Sequence, residues 1–404
     1  MPIESSSETK LKISLKRNEE RRILSGHSWV FSNEIAEVSG KFESGDLGEV
    51  FSASGEFLGA GFYNPHSLIA VRILSKERLD AAGFDFFHQR LSAALGYRER
   101  TYPGRAPFYR LCFGESDGLP GLVIDRYDSV LVLQILSAGM EKHLPQITEA
   151  LLKLTRPSGI YLKNDHKSRA LEGLKSEEKI HYGTIPPLLE VDDFGLKFLT
   201  PIASGQKTGF YFDQSENRVF LRPHFSGKTV LDLYSYTGTF GINAAKFGAQ
   251  AVLGFDSSED AARLANQNAG LNGVSSIARF EKKDAEEALA LAAENRLGFK
   301  PDMILLDPPS LVPSRKDLPK AERLYVRLNS LALKALPAGG LLATSTCSHH
   351  VSRELFVSIV RKAAGMAKKT VRLLSLRTQA QDHPILLAMP ETEYLHFALL
   401  EIVG

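Results

Sequence analysis

The sequence predicts an α/β protein, in which a mostly parallel sheet flanked by helices on both faces follows a small β-barrel and a mixed α+β block. Three observations carry this reading. From residue 229 onward seven apolar runs occur, the first six with helical patterns between them, as strand–helix–strand units of a parallel sheet require. Residues from about 10 to 76 are strand-rich and almost without helical periodicity. Between these regions a single helical stripe is followed by hairpin-like runs. With 404 residues the chain exceeds one domain of roughly 100–200 residues. The reading divides it into 1–80, 81–200 and 201–404.

In the first part, Gly48 to Phe51, Glu56 to Phe62 and Leu68 to Leu74 are short runs of apolar and β-favouring residues, punctuated at Ser54-Gly55 and Asn64-Pro65. A small β-barrel is the expected outcome. In the second part, Phe84, Phe87, Leu91, Ala94 and Leu95 fall on one helical face. Leu119 to Asp125 and Val130 to Ile135 form a hairpin pattern around Asp128-Ser129, His143 to Leu154 is helical, and Gly159 to Lys163 is extended. In the third part, strands are expected at 229–233, 251–255, 277–281, 302–306, 340–345, 369–374 and 394–402. Helices are expected at about 239–247, 258–270, 285–295, 317–335 and 352–364. The last strand has no helix before it and should return antiparallel, giving six parallel strands plus one antiparallel.

Composition narrows the function classes. Hydrophobic residues make up 43% and charged residues 24%, which excludes a wholly disordered chain, a collagen-like repeat and a coiled coil. Lys and Arg number 49 against 47 Asp and Glu, so there is no general basic shell for nucleic acid, and any such site must be local. Met1 to Glu20 lacks the apolar core of a signal peptide, and no run approaches 18 apolar residues; a cytoplasmic protein without a membrane partner is expected. The two cysteines, Cys112 and Cys347, exclude a disulfide scaffold and a four-thiolate zinc site, and no metal is expected. Cys112, between Leu111 and Phe113, reads as core packing.

The chemistry-bearing residues cluster at strand ends. Val230 to Gly238 is an apolar strand ending in Asp232 and then a short Ser/Thr/Gly turn, where small residues let the backbone approach a ligand. It is neither G-x-G-x-x-G nor a Walker loop. Asp256 ends the next strand, 18 residues past Gly238, and suits ribose hydroxyls or a helix N-cap, or both at once. Asp284 follows the third strand and suits an N-cap or an adenine amino group. In Asp307-Pro308-Pro309-Ser310 the prolines rigidify the turn and hold a carboxylate fit to hydrogen-bond a planar amide or amidine edge. Cys347, in Thr344-Ser345-Thr346-Cys347-Ser348, has polar neighbours at the end of the fifth strand, as a nucleophilic thiol requires.

These elements in this order resemble the class I S-adenosylmethionine-dependent methyltransferases, with their Rossmann-like sheet. The resemblance narrows with Gly205 to Gln214, Leu231 to Gly238, Asp307 to Ser310, Thr346-Cys347-Ser348 and Asp382-His383-Pro384. Together they look like the bacterial large-subunit (23S) ribosomal RNA cytosine-C5 methyltransferases. Ser25 to Phe31 resembles that family's amino-terminal PUA domain, and Gly114 to Asp125 its central α+β domain. The resemblance implies S-adenosylmethionine as cofactor and ribosomal RNA as partner. Asp232, Tyr234, Ser235 and Gly238 would cradle the methionine part, Asp256 the ribose and Asp284 the adenine edge. Gln206 would border the pocket, Asp307 would contact cytosine beside the cofactor, and Cys347 would be the nucleophile making 5-methylcytosine. Thr239 stands where a second glycine is expected, and Ser348-His349-His350 departs from the Ser-Gly expected after the cysteine.

Two basic clusters are candidates for RNA contact: Lys16-Arg17 with Arg21-Arg22, and Lys163 with Lys167 and Arg169. A homodimer is compatible with this reading. Two rivals remain open. One is a methyltransferase acting on a base exocyclic amine without a covalent adduct, whose motif Asp-Pro-Pro-Ser also resembles. The other is a non-catalytic RNA-binding or ribosome-assembly factor.

Overall fold

The computed structural model describes residues 10–203, 205, 208–312 and 315–403. The chain forms two compact units. The first runs to Pro187 and also takes Ile202–Phe210 and Asp382–Thr392; the second takes Leu188–Pro201, Tyr211–Gln381 and the chain from Glu393.

The first unit holds two sheets. Six strands occupy Leu11–Leu15, Trp29–Phe31, Ile35–Ser39, Asp46–Phe51, Phe57–Tyr63 and Ile69–Ser75. The Leu11–Leu15 strand pairs parallel with Asp46–Phe51, and the other neighbours are antiparallel. Ile13, Val30, Val50 and Val71 are fully buried at their centre. The second sheet has five strands, with Leu122–Tyr127 and Val130–Ile135 as the hairpin around Asp128. Helices Phe84–Thr101 and Leu144–Thr155 cover it, burying Phe87, Leu91, Ile147 and Leu151. Cys112 is fully buried in that core, and desolvation pushes its thiol pKa well up, so it stays an inert packing group.

Three segments lie in a different unit from the one expected, and Ile202–Phe210, read as the start of the third part, is one of them, in the first unit. The hairpin Leu188–Asp193 and Leu196–Pro201, read from the sequence as the end of the central block, belongs to the second unit. Asn268 and Asn272 hold its backbone there, accepting from the amides of Leu199 (2.8 Å) and Lys197 (3.0 Å). Asp382-His383-Pro384, expected inside the cofactor domain, returns to the first unit. The Asp382 carboxylate accepts from the Arg110 amide at 2.8 Å and from His383 at 2.7 Å, and its carbonyl accepts from fully buried Arg98 at 2.7 Å.

The second unit is the α/β sheet. Its elements are β1 (Thr229–Leu233), α1 (Thr239–Lys246), β2 (Ala251–Asp256), α2 (Glu259–Leu271), β3 (Ala278–Lys282), α3 (Ala285–Ala293), β4 (Met303–Leu306), α4 (Leu318–Ala335), β5 (Leu341–Thr346), α5 (Arg353–Ala367), β6 (Val371–Arg377) and β7 (His396–Ile402). The strand order is β3-β2-β1-β4-β5-β7-β6, and β7 runs antiparallel to both neighbours. Leu231, Ile304 and Leu342 are fully buried, the apolar run that a sheet covered on both faces needs. The order reverses between β1 and β4, a topological switch point, and open α/β sheets take their ligands beyond the carboxyl ends of the strands at such a point. Register puts Leu233 opposite Leu306 and Leu306 opposite Thr344, so β1 and β4 end at one level and β5 runs two residues further before its turn. Among the described residues no helix is long and apolar enough to cross a membrane.

Candidate active site

The turn after β1 is strained and tightly held. Tyr234 and Tyr236 take the left-handed conformation (φ 61° and 45°), as does Gly238 (φ 81°). For a residue with a side chain this costs about 1–2 kcal/mol, and such strain concentrates at functional sites. It is offset by hydrogen bonds: the Tyr236 amide donates to Asp256 (2.9 Å), the Ser235 amide to the Phe255 carbonyl (3.0 Å) and the Gly238 amide to the Ser235 carbonyl (2.7 Å). A Cβ on Gly238 would stand 2.9 Å from the Phe280 ring and 3.0 Å from the Ala265 Cβ. The hydroxyls of Ser235 and Thr237 are buried within this turn without a hydrogen-bond partner. Such orphaned groups cost about 1–3 kcal/mol each, and a ligand bearing carboxylate or ammonium groups would relieve them.

Asp232 lies beneath the turn, accepting from the Gly241 amide at 2.8 Å. Burial, together with the carboxylates of Asp307 and Asp256, pushes its pKa up to about 8. A Cβ on Gly241 would meet the Asp232 Oδ2 at 2.8 Å, so glycine is needed there. Tyr234 is pushed up to about 12, chiefly by burial and then by Asp284 and Glu286, and stays a neutral phenol. Both Asp256 oxygens accept backbone amides, from Tyr236 and from Ser258 (2.9 Å each). The expected cap role at α2 passes to Ser258, whose hydroxyl accepts from the Ala261 amide. Asp284 is exposed and caps α3, accepting from the Glu287 amide at 3.0 Å.

The turns after β4 and β5 carry Asp307 and Cys347. One Asp307 oxygen accepts from the Gln214 side-chain amide (3.0 Å) and from the Ser345 hydroxyl. Gln214 in turn accepts from Asn217 (2.8 Å), and Asn217 from Arg377 (2.9 Å), which fixes which end of the Gln214 amide faces the carboxylate. The partly exposed Cys347 has its sulfur 4.0 Å from the Pro308 carbonyl oxygen. The structure thus brings Asp232, Tyr234, Ser235, Gly238, Asp256, Asp284, Asp307 and Cys347 to one edge of one sheet. Gln206 lies outside the described residues. Gln214, Ser345 and the phenol of Tyr325 were not singled out from sequence. Gln214 closes the Gly205 to Gln214 segment, the one available signal; Tyr325 sits in an ordinary helical stripe.

The basic candidates lie in the first unit. Lys16, Arg17 and Lys167 are exposed. Lys163 is corrected as a surface cation: it is 2% exposed, with its ammonium between Glu178 and the Ala203 carbonyl at 2.9 Å each. Arg169 is likewise buried, donating to Glu141 and the Lys175 carbonyl. Lys163 lies on the strand Gly159–Asn164, which is buried along its whole length, and Arg169 on the short 3-10 turn Lys167–Glu172, so the charges of both serve the fold. Among the described residues no group of three His, Cys, Asp or Glu side chains is arranged to hold a metal ion.

The strand order, the strained turn at the switch point and the row of strand-end carboxylates define an S-adenosylmethionine-dependent methyltransferase. A family model of that description matches residues 124–367, and a PUA-like domain model matches residues 13–76. A ribosomal RNA large subunit methyltransferase I from Aeromonas hydrophila is 40% identical, over 95% of this chain and 97% of its own. One of the same name from Alteromonas mediterranea is 36% identical, over 96% and 98%. The chain belongs to the ribosomal RNA large subunit methyltransferase I family. A putative methyltransferase structure from Streptococcus mutans superposes with a TM-score of 0.83 at 20% identity, covering 96% of this chain and 99% of the other, which shows a shared fold. A putative methyltransferase solved with S-adenosylhomocysteine superposes at 0.84, also at 20% identity, with the same shares covered. The cofactor is S-adenosylmethionine, and the orphaned hydroxyls of Ser235 and Thr237 fit its polar methionine part.

Proposed function

We propose that the protein methylates carbon 5 of a cytosine in large-subunit ribosomal RNA through a covalent adduct on Cys347. The observation that carries the reading is the placement of Asp307 and Cys347 on the turns of neighbouring strands β4 and β5, beside the strained turn after β1. The relatives' names supply the RNA class.

Carbon 5 of cytosine is a poor nucleophile. The Cys347 thiolate adds to carbon 6, and the electron pair of the 5,6 double bond makes carbon 5 an enamine-type nucleophile. Asp307, fixed by Gln214 and Ser345, hydrogen-bonds the polar edge of the ring and holds it in reach of the sulfur. When bound, S-adenosylmethionine supplies an electrophilic methyl group on a sulfonium. Ser235, Thr237 and the turn backbone hold its methionine part, Asp256 its ribose and Asp284 its adenine edge. After transfer a base takes the carbon-5 proton, the double bond re-forms, and Cys347 leaves as thiolate. The target base must leave any helical stack to enter, and Lys16, Arg17 and Lys167 offer phosphate contacts from the first unit.

The test is incubation with labelled cofactor and ribosomal RNA, followed by nucleoside identification by mass spectrometry. 5-Methylcytidine is expected, and Cys347→Ala should abolish it. A methylated exocyclic amine, with turnover kept in Cys347→Ala, would establish the non-covalent rival. Absence of cofactor binding by calorimetry would favour a non-catalytic factor.

A further inference from the structure

A hub of hydroxyls lies under the two turns that carry the reactive groups. The Tyr325 phenol, on α4, is 1% exposed and so is closed to substrate. Thr346 donates to its oxygen at 2.9 Å, and Ser348 shares a hydrogen bond with it at 3.0 Å. Those two residues flank Cys347 on either side. The Ser348 hydroxyl is also 3.2 Å from that of Ser310, and the Leu311 backbone hydrogen-bonds the phenol. Ser310 and Leu311 continue the turn that begins at Asp307. One buried phenol therefore ties together the turn of the thiol and the turn of the carboxylate.

The chain of hydroxyls holds no base for the carbon-5 proton. Burial pushes the Tyr325 phenol above its ordinary range, and the other members are serine and threonine, so no group in the chain takes a proton near neutral pH. Its effect is geometric. Thr346 ends β5, and Cys347 and Ser348 lie beyond it, where the contact of the Ser348 amide with the Thr346 hydroxyl is long at 3.4 Å and the phenol holds the hydroxyls on both sides of the thiol. A nucleophile must sit within a few tenths of an ångström of its productive place.

We infer that Tyr325 is a positioning residue, which sets the separation of Cys347 from Asp307 by clamping both turns through Thr346, Ser348, Ser310 and Leu311. The inference rests on the reading of Cys347 as nucleophile. Tyr325→Phe keeps the ring in the core and removes the clamp. Loss of reactant alignment on the ångström scale costs up to about 100-fold in rate, so kcat should fall about 10- to 100-fold, with KM for RNA and cofactor within two-fold. Ser348→Ala should lower kcat in the same manner, and Tyr325→Phe/Ser348→Ala should be no slower than the worse single variant by more than two-fold, because both remove one device. Cys347→Ala is run in parallel. If it turns over, the nucleophile reading falls and this inference with it. If Cys347→Ala is dead but Tyr325→Phe keeps its kcat, or if the two losses multiply, the clamp alone is overturned. Should Tyr325→Phe fail to fold, Ser348→Ala carries the same kcat and KM test, and an unchanged kcat there overturns the clamp.

Discussion

Replacing Asp232 by Asn should remove a stability slope across neutral pH. Asp232 is buried and accepts one amide, from Gly241, and its folded-state pKa is raised to about 8. In the unfolded chain an aspartate titrates near 3.9. Between those values the folded protein holds a proton that the unfolded chain has lost, so stability falls as pH rises. Each pH unit in that window is worth about 1.4 kcal/mol, which makes about 4 kcal/mol between pH 5 and pH 8. Asn is the isostere of the protonated acid and keeps an acceptor for Gly241. Wild type and Asp232→Asn should therefore have similar unfolding free energies near pH 4 to 5. The wild type should then lose ground steadily up to about pH 8, above which the gap is constant. The assay is urea unfolding at a series of pH values. A difference that stays flat from pH 5 to 8 would refute the reasoning, because it would mean that Asp232 is already ionised in the fold. Cofactor binding adds a second readout: a cationic ligand favours the carboxylate. Binding near pH 7 should release up to about one proton, seen by calorimetry in buffers of different ionisation enthalpy, and Asp232→Asn should abolish the release.

Other outcomes follow from the same geometry. Gln214→Leu takes the amide donor from Asp307 and leaves the Asn217 amide with the Thr378 carbonyl but without the Gln214 oxygen; kcat should fall at least about ten-fold, as for a misaligned reactive group. Steady-state kinetics beside a melting curve would separate that from unfolding. Lys163→Met breaks a pair whose lysine is buried and whose Glu178 is partly exposed; it should cost roughly 2–3 kcal/mol, less than a fully buried pair, and leave the salt dependence of RNA binding unchanged. Lys167→Ala should do the opposite, sparing stability and lowering the slope of log K against log salt by about one if it meets a phosphate.

Much of the second unit was legible because its physics is local. Expected strands such as 229–233 and 302–306 fall within a residue of β1 and β4, since apolar runs bounded by Gly, Pro and Asp leave few alternatives. Asp232, Asp256, Asp307 and Cys347 could be placed on one edge because parallel strands alternating with helices all end on the same side. Pairing across sequence was not legible. Nothing in Gln214 announces that its amide meets Asp307, 93 residues on, or in Tyr325 that it meets Ser348. Lys163 reads as a surface cation until strand register shows it pointing inward, with Glu178 opposite on the neighbouring strand.

The amino-acid sequence determined the alternation of strands and helices, the strand-end acids and the thiol beyond β5, because these depend on periodicity and on neighbours in the chain. Tertiary structure decided the rest. It assigned the hairpin to the second unit through Asn268 and Asn272, and Asp382 to the first through Arg98 and Arg110. It raised the Asp232 pKa by burial beside two other carboxylates, and it joined the Cys347 and Asp307 turns through one buried phenol. Each of these requires residues far apart in the chain to share a dry space, where an unpaired polar group is costly and a partner decides its charge and its direction.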